Sequence, residues 1–178
     1  MDVVYESYIG FFMDEKAGWF NNLIGVNYII ILCFFSALIL LAIIDIKTYQ
    51  LPDILTQPLL WFGLVFISNS ELIPIKSAIY GAISGYLFLW VLNWFIRLTL
   101  KKEGIGYGDL KLAAAIGAWI GVEMIPMLML LSSLSGLFGF VLIWVKRKNF
   151  PEFIAFGPYL CFSAIILMAF NLRGIDVL

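Results

Sequence analysis

Histidine is absent from this 178-residue chain, and cysteine occurs only twice, at Cys33 and Cys161. The absence of histidine excludes Ser-His-Asp and Cys-His catalysis as well as HExxH zinc chemistry. The two cysteines stand alone inside apolar runs and form no CxxC pair, so they indicate neither a zinc site nor a redox site. We interpret both as small, buried packing residues.

Charged residues are also scarce, since they make up 13% of the chain against 63% hydrophobic and 17% aromatic residues. A soluble domain of this size cannot bury so much apolar surface in one core, so the composition predicts an integral membrane protein. Five charge-free runs approach or reach the ~20 residues that a helix needs to cross a bilayer. These runs span residues 23–44, 54–70, 77–96, 124–145 and 153–172.

A sixth charge-free run, residues 112–122, is only 11 residues long. It can cross the membrane only if Asp109 and Lys111 are partly immersed or the bilayer is thinned. Backbone amides in lipid must be bonded within their own segment or within a closed barrel, and these runs lack the alternation of barrel strands. We therefore predict an all-α, polytopic membrane helical bundle with about six transmembrane helices.

Basic residues are distributed unevenly over the loops of such a bundle. With both termini outside, eight of them fall on the cytoplasmic side and three fall outside, which is the positive-inside pattern. The eight are Lys47, Arg97, Lys101, Lys102, Lys111, Lys146, Arg147 and Lys148, and the three are Lys16, Lys76 and Arg173. The first apolar run follows an acidic stretch with no cleavage site, so we expect it to be retained and not removed as a signal peptide.

The topology divides the chain into three segments. Residues 1–22 form an extracytoplasmic N-terminal segment that is either interfacial or a flexible tail. Residues 23–172 form one membrane-embedded domain, and residues 173–178 form a short tail. Within the domain, small residues recur at helical spacing, and in lipid such faces let helix backbones approach closely. They are Ser77, Gly81 and Gly85; Ala113, Gly117 and Gly121; Ser132 with Gly136; and Ser135 with Gly139.

Two aspartates fall at the same predicted depth. Asp45 ends the first apolar run, and Asp109 precedes the short run within the stretch KKEGIGYGDLK. Both lie at cytoplasmic helix ends near the hydrocarbon edge, where an ionisable residue is a functional candidate. Because glycine disfavours helix, we expect the glycines of this stretch to be non-helical, to supply positive φ and to leave open backbone beside Asp109 for an extended peptide. These glycines are Gly104, Gly106 and Gly108.

Two carboxylates a few ångström apart do not both ionise readily, so we expect the pair to share one proton. The ionised member can then take a proton from water while the protonated member polarises a peptide carbonyl, which gives hydrolysis without a covalent intermediate. This chemistry requires no metal and no cofactor. A phosphate cradle is not indicated, because GxxxxGK is absent and Asp109 occupies the third glycine position of GxGxxG.

Other interpretations of the two aspartates remain open at this point. Each can be a solvated interfacial charge, with Asp45 paired to Lys47 and Asp109 paired to Lys111. A carboxylate metal site built from Asp45, Asp53 and Asp109 is a second alternative. A proton relay in a small transporter and a purely structural scaffold are two further alternatives, although transporters of that kind usually hold carboxylates near the midplane.

The motifs themselves resemble a known family. GYGD (106–109) is similar to the GxGD motif of membrane aspartyl peptidases, and DIKTYQLPD (45–53) resembles the matching motif of the type IV prepilin peptidase family. KKEGIGYGDLKLAAAIGAWIG (101–121) and FIAFGPYL (153–160) are similar to further family segments in order and spacing. The signal and presenilin peptidases pair GxGD with a YD motif, whereas Ile44 precedes Asp45 here, so they are the less similar relatives.

The resemblance implies a bacterial inner-membrane aspartyl peptidase that removes the basic leader from type IV prepilins or type II secretion pseudopilins at the cytoplasmic face. Its partners are these substrates and the lipid bilayer, and no nucleic acid is expected. Asp45 and Asp109 occupy the positions of the catalytic pair. We expect Asp53 to cap the second helix and expect a helix break at residues 157–158 to shape the site. The supporting motif residues are Gly106, Gly108, Pro52, Asp53, Gly157 and Pro158.

Longer members of that family carry an N-terminal cytoplasmic domain, often with CxxC zinc motifs, that is associated with methylating the new N-terminus. In this chain the first apolar run follows an acidic segment of 22 residues. We therefore expect peptidase activity without N-methylation.

Overall fold

The computed structural model describes residues 28–70, 72–100, 104, 106–147 and 155–175. These residues form six α-helices, with a short 3-10 turn at Val122–Met124, and contain no strand. The helices are α1 (Tyr28–Thr48), α2 (Asp53–Ser68), α3 (Ile75–Leu100), α4 (Tyr107–Ile120), α5 (Ile125–Arg147) and α6 (Gly157–Ile175). The prediction of an all-α helical bundle is confirmed. The predicted segment 1–22 lies outside the described residues.

Helix length separates membrane-crossing candidates from shorter helices. Among the described residues, three spans are long and apolar enough to cross a bilayer, namely Tyr28–Thr48, Ile75–Thr99 and Val122–Leu142. Helix α2 and the segment Gly157–Phe170 are shorter but also apolar. Helix α4 has 14 residues and is therefore only about 21 Å long. It begins at Tyr107, so that Asp109 and Lys111 both belong to the helix.

The chain divides into two compact units, residues 1–36 and residues 37–178. Of the first unit, the structure describes the beginning of α1, where Ile31 and Phe34 are buried and Cys33 is exposed. The interpretation of Cys33 as a buried residue is therefore wrong, because only one face of α1 is buried and Cys33 lies off that face. Cys161, in the second unit, is buried as expected.

Helix α4 is the most deeply buried element of the second unit. It packs against α2, α3 and α6, while α5 packs mainly against α6. From Leu110 to Ile120 every residue of α4 except Lys111 is buried. Since α4 also carries Asp109, the contacts that hold this helix determine where that carboxylate lies.

Small residues bring the backbones of α3 and α4 together, as their spacing predicts. A Cβ atom at Gly81 or at Gly117 would collide with the backbone carbonyl oxygen of the other residue. One turn further along, a Cβ atom at Gly85 would lie 2.6 Å from the carbonyl oxygen of Ala113. Side chains larger than hydrogen would separate the two helices, so these positions set the distance between them.

The end of α4 is closed by a glycine turn. Gly121 has a φ of 81°, a conformation that residues with a side chain rarely adopt. A Cβ atom there would also lie 2.6 Å from Oγ of Ser77 on α3. That hydroxyl accepts a hydrogen bond from the N–H of Val122 at 3.2 Å, so the turn is joined to α3 as well.

Trp119 joins α4 to α2. Its indole Nε1 donates a hydrogen bond to the backbone oxygen of Leu59 at 2.9 Å. The indole occupies space left by Gly63, where any Cβ atom would collide with it. The ring centroids of Phe66 and Phe62 lie 5.5 Å and 6.3 Å from that of Trp119, so the polar edge of this large side chain is satisfied while its faces are apolar.

We predict that Gly117→Ala lowers the free energy of unfolding by about 1–3 kcal/mol, because the added methyl group must push α3 and α4 apart. Thermal unfolding of the purified protein in detergent measures this loss. The matched control is Gly136→Ala on α5, where a Cβ atom would meet the ring of Tyr159 at an ordinary 3.7 Å. Alanine favours helix over glycine by roughly 1 kcal/mol, so the control should be as stable as wild type or slightly more stable. Equal stability of both variants would contradict the close contact.

Candidate active site

The C-terminal end of α1 presents Asp45. This residue is buried, with 4% of its surface exposed, and it lies one turn before the helix ends. The helix end is closed by local hydrogen bonds. The N–H of Tyr49 donates to the oxygen of Asp45 at 2.9 Å, and the hydroxyl of Thr48 donates to the oxygen of Ile44 at 2.9 Å. The N–H of Gln50 donates back to the Thr48 hydroxyl at 3.3 Å. Asp45 is thereby held on a helix whose last turn is fully formed.

Tyr49 has a left-handed backbone conformation, with a φ of 53°. Among the described residues it is the only one other than glycine with a positive φ. Helices often end with one left-handed residue, which is usually glycine because a side chain there costs about 1–2 kcal/mol. The turn at Tyr49 redirects the chain from α1 through residues 50–52 into α2.

The start of α4 presents Asp109, which is partly exposed. Gly106 is the residue before the helix and has an extended conformation, with φ −63° and ψ 140°. Its oxygen accepts a hydrogen bond from the N–H of Asp109 at 3.1 Å. Gly108, by contrast, is the second residue of the helix. The expectation that Gly108 is non-helical, and that Gly106 and Gly108 supply positive φ, is therefore wrong.

Gly104 and Gly108 lie at positions where a side chain would collide with a neighbouring residue, so lack of space accounts for glycine there better than backbone freedom does. A Cβ atom at Gly108 would lie 2.9 Å from Cβ of Leu51, and one at Gly104 would lie 2.8 Å from Cγ2 of Ile96. At Gly106 a Cβ atom would meet Oδ2 of Asp109 at 3.6 Å, which is an ordinary contact. Gly108 thus lets the segment after α1 approach the start of α4, and Gly106 leaves the side of Asp109 uncovered.

Asp45 and Asp109 line one cavity of about 290 Å³. Each carboxylate comes from a different helix, and the charge of Asp45 acts on Asp109 electrostatically. The thiol of Cys161, buried on α6, lies within electrostatic range of both. The structure therefore brings together the two residues that the sequence assigns as the catalytic pair. The remaining lining residues are Tyr49, Gln50, Leu51, Gly106, Tyr107 and Gly108.

Gly157 at the start of α6 borders the carboxylate of Asp45. A Cβ atom there would lie 2.5 Å from Oδ2 of Asp45. This buried oxygen receives no hydrogen bond of standard geometry from the described residues, although the amide of Gly157 interacts with the carboxylate. Gly157 and Pro158 are the first two residues of α6, so they start a helix and do not break one. Pro158 fits there because the first turn does not use its missing N–H.

Asp53 does not cap α2, contrary to expectation. Pro52 occupies the N-cap position, Asp53 is the first helical residue, and no side-chain capping bond is present there. The carboxylate instead accepts two hydrogen bonds from Nζ of Lys111, at 2.6 and 2.7 Å. A proline with fixed φ takes the capping position, and the long lysine side chain reaches across from α4. The pairing of Lys111 with Asp109 is therefore wrong as well.

Two of the alternative interpretations of the aspartates can be compared with these contacts, namely a solvated charge at Asp45 and a metal site that includes Asp53. Asp45 is buried, which does not fit a solvated interfacial charge paired with the exposed Lys47. Asp53 is paired with Lys111 and is not among the residues that line the cavity. Within the described part of the chain, no group of three or more cysteine, aspartate or glutamate side chains is arranged to hold a metal ion.

The sequence reasoning missed the two tyrosines of the cavity. Tyr107 is 54% exposed, and the guanidinium of Arg97 on α3 lies over its ring, 5.4 Å from the centroid. Tyr49 is 62% exposed. Tyr49 lies in the motif DIKTYQLPD and Tyr107 lies in GYGD. Each tyrosine is therefore close in sequence to one of the aspartates, and this could have marked both as candidate cavity residues.

Residues 32–143 match the model of the type IV leader peptidase family, and the chain belongs to this family. The matched range contains both aspartates of the cavity. Among curated relatives, the "Prepilin leader peptidase/N-methyltransferase" of Dickeya chrysanthemi is 42% identical over 146 residues, which are 81% of this chain and 51% of that protein. The proteins of the same name in Escherichia coli K12 and Aeromonas salmonicida A449 are 42% and 46% identical, over 77% and 74% of this chain.

The chain spans about half the length of the curated relatives it matches, with 61% of the Escherichia coli protein and 45% of the Aeromonas salmonicida protein covered. No solved structure matches it.

We predict that the pair of Asp53 and Lys111 contributes only about 0.2–1 kcal/mol to stability, because the side chains are 61% and 32% exposed. A double-mutant cycle of Asp53→Asn, Lys111→Gln and the combined variant measures the coupling free energy by thermal unfolding. The two single variants should lose similar amounts, and the combined variant should lose less than their sum. A coupling of zero would contradict the ion pair.

Proposed function

We propose that this chain is a membrane aspartic endopeptidase that cleaves the basic leader from type IV prepilins or type II secretion pseudopilins. One observation carries the proposal: Asp45 and Asp109 come from two different helices and line one cavity in a chain of the leader peptidase family. The names of the relatives, which include prepilin leader peptidase, support the substrate class.

Water between the two carboxylates is the nucleophile in this mechanism. The ionised aspartate removes a proton from water as the C–O bond forms, and the protonated aspartate transfers its proton to the scissile carbonyl oxygen, so that a tetrahedral diol results. The aspartate that took the proton from water then delivers it to the leaving nitrogen as the C–N bond breaks, and a diol hydroxyl returns its proton to the other aspartate. The pair ends with one proton, as it began. Burial of Asp45 and the charge that Asp45 exerts on Asp109 both favour this singly protonated state.

Substrate approaches in an extended conformation along Gly106. This residue is exposed, has extended backbone, and carries no side chain beside Asp109. Main-chain pairing of a peptide with such a segment holds the scissile bond against the carboxylates without selecting side chains. The helix that follows the cleavage point in the substrate stays in the membrane, and this requires an active site at the membrane boundary.

The active site faces the cytoplasm from the inner membrane. Arg97 lies over Tyr107, so the end of α3 is at the cavity, together with Lys111 on α4. Lys47 follows Asp45 at the end of α1. The clustering of these basic residues at one end supports a cytoplasmic orientation of that end.

We predict that Asp45→Asn and Asp109→Asn each reduce leader removal on the order of 10²-fold or more, because either change removes the proton transfers of the pair. Each variant is co-expressed with a prepilin, and processing is followed by mobility on a gel and by mass spectrometry of the new N-terminus. Glu123→Gln, a carboxylate-to-amide change after the opposite end of α4, is the matched control and should process normally.

Normal processing by either aspartate variant would contradict the proposal that this aspartate is catalytic. Folding and membrane insertion of each variant are checked in parallel. The expectation that this chain does not methylate its product stays a prediction, and the same mass spectrum reports it.

We predict that Gly157→Ala lowers kcat roughly 10–100-fold, because the methyl group displaces the carboxylate of Asp45 and small misplacements of reacting groups are costly. The purified variant is assayed in detergent with a prepilin that wild type processes. Gly136→Ala, whose methyl group has room, is the control and should retain wild-type kcat. Unchanged kcat in the Gly157 variant would show that the position of Asp45 does not matter for turnover.

A further inference from the structure

Tyr49 combines an unfavourable backbone conformation with a place in the cavity wall. Its φ of 53° is one that glycine adopts freely and that an aromatic residue resists. The left-handed turn itself is explained by the end of α1, where the N–H of Tyr49 donates to the oxygen of Asp45. The turn does not explain why a large side chain occupies this position, since glycine would form it with less strain.

Tyr49 is an exposed residue of the cavity wall. It is 62% exposed and lines the cavity that holds Asp45 and Asp109. Tyr107 lines the same cavity from the start of α4 and is 54% exposed. Arg97 stacks on the ring of Tyr107 and limits its movement. Two exposed tyrosines therefore line the cavity of the carboxylates, one from each of the two motif segments.

Membrane anchoring is the competing explanation, because tyrosine is common at the interface between lipid and water. Anchoring requires exposure but not a strained backbone. Exposed tyrosines occur in this chain without strain, for example Tyr80 on α3, which is 60% exposed. Anchoring also gives no reason for the residue to line the cavity that holds the two carboxylates. Strain that persists at a cavity wall is typical of residues retained for contact with a ligand.

We propose that Tyr49 is a specificity-determining residue whose ring contacts an apolar or aromatic substrate side chain next to the scissile bond. The inference rests on the proposed peptidase function. Flat aromatic rings offer large contact area with little loss of side-chain freedom, and they favour apolar and aromatic partners. Tyr107 supplies a second ring for the same substrate segment. The contact is made on substrate binding, so it acts mainly on KM and leaves the chemistry of the aspartates unchanged.

Three variants separate the ring from the backbone at this position. Tyr49→Gly and Tyr49→Asn keep the left-handed turn, since both residues tolerate it, and remove the ring. Tyr49→Phe keeps the ring. Tyr80→Ala removes an exposed tyrosine outside the cavity and is the matched control. The assay measures kcat and KM in detergent with the purified prepilin that wild type processes, and thermal unfolding is measured in parallel.

We predict that Tyr49→Gly and Tyr49→Asn raise KM roughly tenfold, which corresponds to the loss of one good aromatic contact, while kcat stays close to wild type. Their melting temperatures should equal or exceed that of wild type, because the strain is relieved. Tyr49→Phe and Tyr80→Ala should keep wild-type kinetics. The asparagine variant provides the result if the glycine variant is poorly folded.

Substrate variants locate the contact. Alanine is placed in turn at the residues on either side of the scissile bond, and each substrate is tested with wild type and with Tyr49→Gly. At the contacted position the substrate change should raise KM for wild type but have little further effect on Tyr49→Gly, which is the signature of a direct interaction.

The outcomes separate the two proposals. If wild type cleaves the prepilin but KM is unchanged in both Tyr49→Gly and Tyr49→Asn, the peptidase function is supported and the proposed role of Tyr49 is wrong. That role is also overturned if Tyr80→Ala raises KM equally, because anchoring then accounts for the effect. Failure of wild type to cleave any prepilin tested in co-expression overturns the peptidase function, and the role of Tyr49 with it.

Discussion

The close approach of the α3 and α4 backbones is the constraint on which the site depends. Helix α4 is too short to position itself by spanning the hydrocarbon, so its depth is set by what it contacts. The mutual contact of Gly81 and Gly117 fixes its distance from α3, and Trp119 fixes it to α2. Because Asp109 lies in the first turn of α4, these distant contacts hold a carboxylate at one end of the bundle.

A second constraint acts at the other carboxylate. Asp45 is buried, and a buried ionised carboxylate without full hydrogen bonding is costly. A structure that served stability alone would replace it with an apolar side chain or supply donors to it. Gly157 leaves the space that Asp45 occupies, and the charge of Asp45 acts on Asp109. The chain thus accommodates Asp45 at a loss of stability, which fits the catalytic role proposed for this carboxyl group.

Sequence patterns predict those features of the structure that arise from many residues of one kind in a regular order. Apolar runs predict the helices because length and composition suffice for membrane segments, and the spacing of small residues predicts the contact between α3 and α4. Features that depend on one contact between distant residues were not predictable. Asp53 follows a standard capping pattern yet pairs with Lys111, 58 residues away. Gly108 follows a standard loop pattern yet is helical, and Leu51 leaves no room for a side chain there.

Three departures from local rules lie together in the molecule. A buried carboxylate at Asp45, a left-handed aromatic residue at Tyr49 and a glycine inside the first turn of α4 at Gly108 all border one cavity. Elsewhere in the described helices, apolar faces, small-residue contacts and the glycine turn at Gly121 follow the ordinary preferences of their residues. Two exceptions are Pro58 inside α2 and the buried hydroxyl of Ser163, which has no hydrogen-bond partner among the described residues. Natural chains break such preferences mainly where function requires it. The occurrence of these three departures around the aspartate pair is therefore an argument, independent of any relative, for the proposed active site.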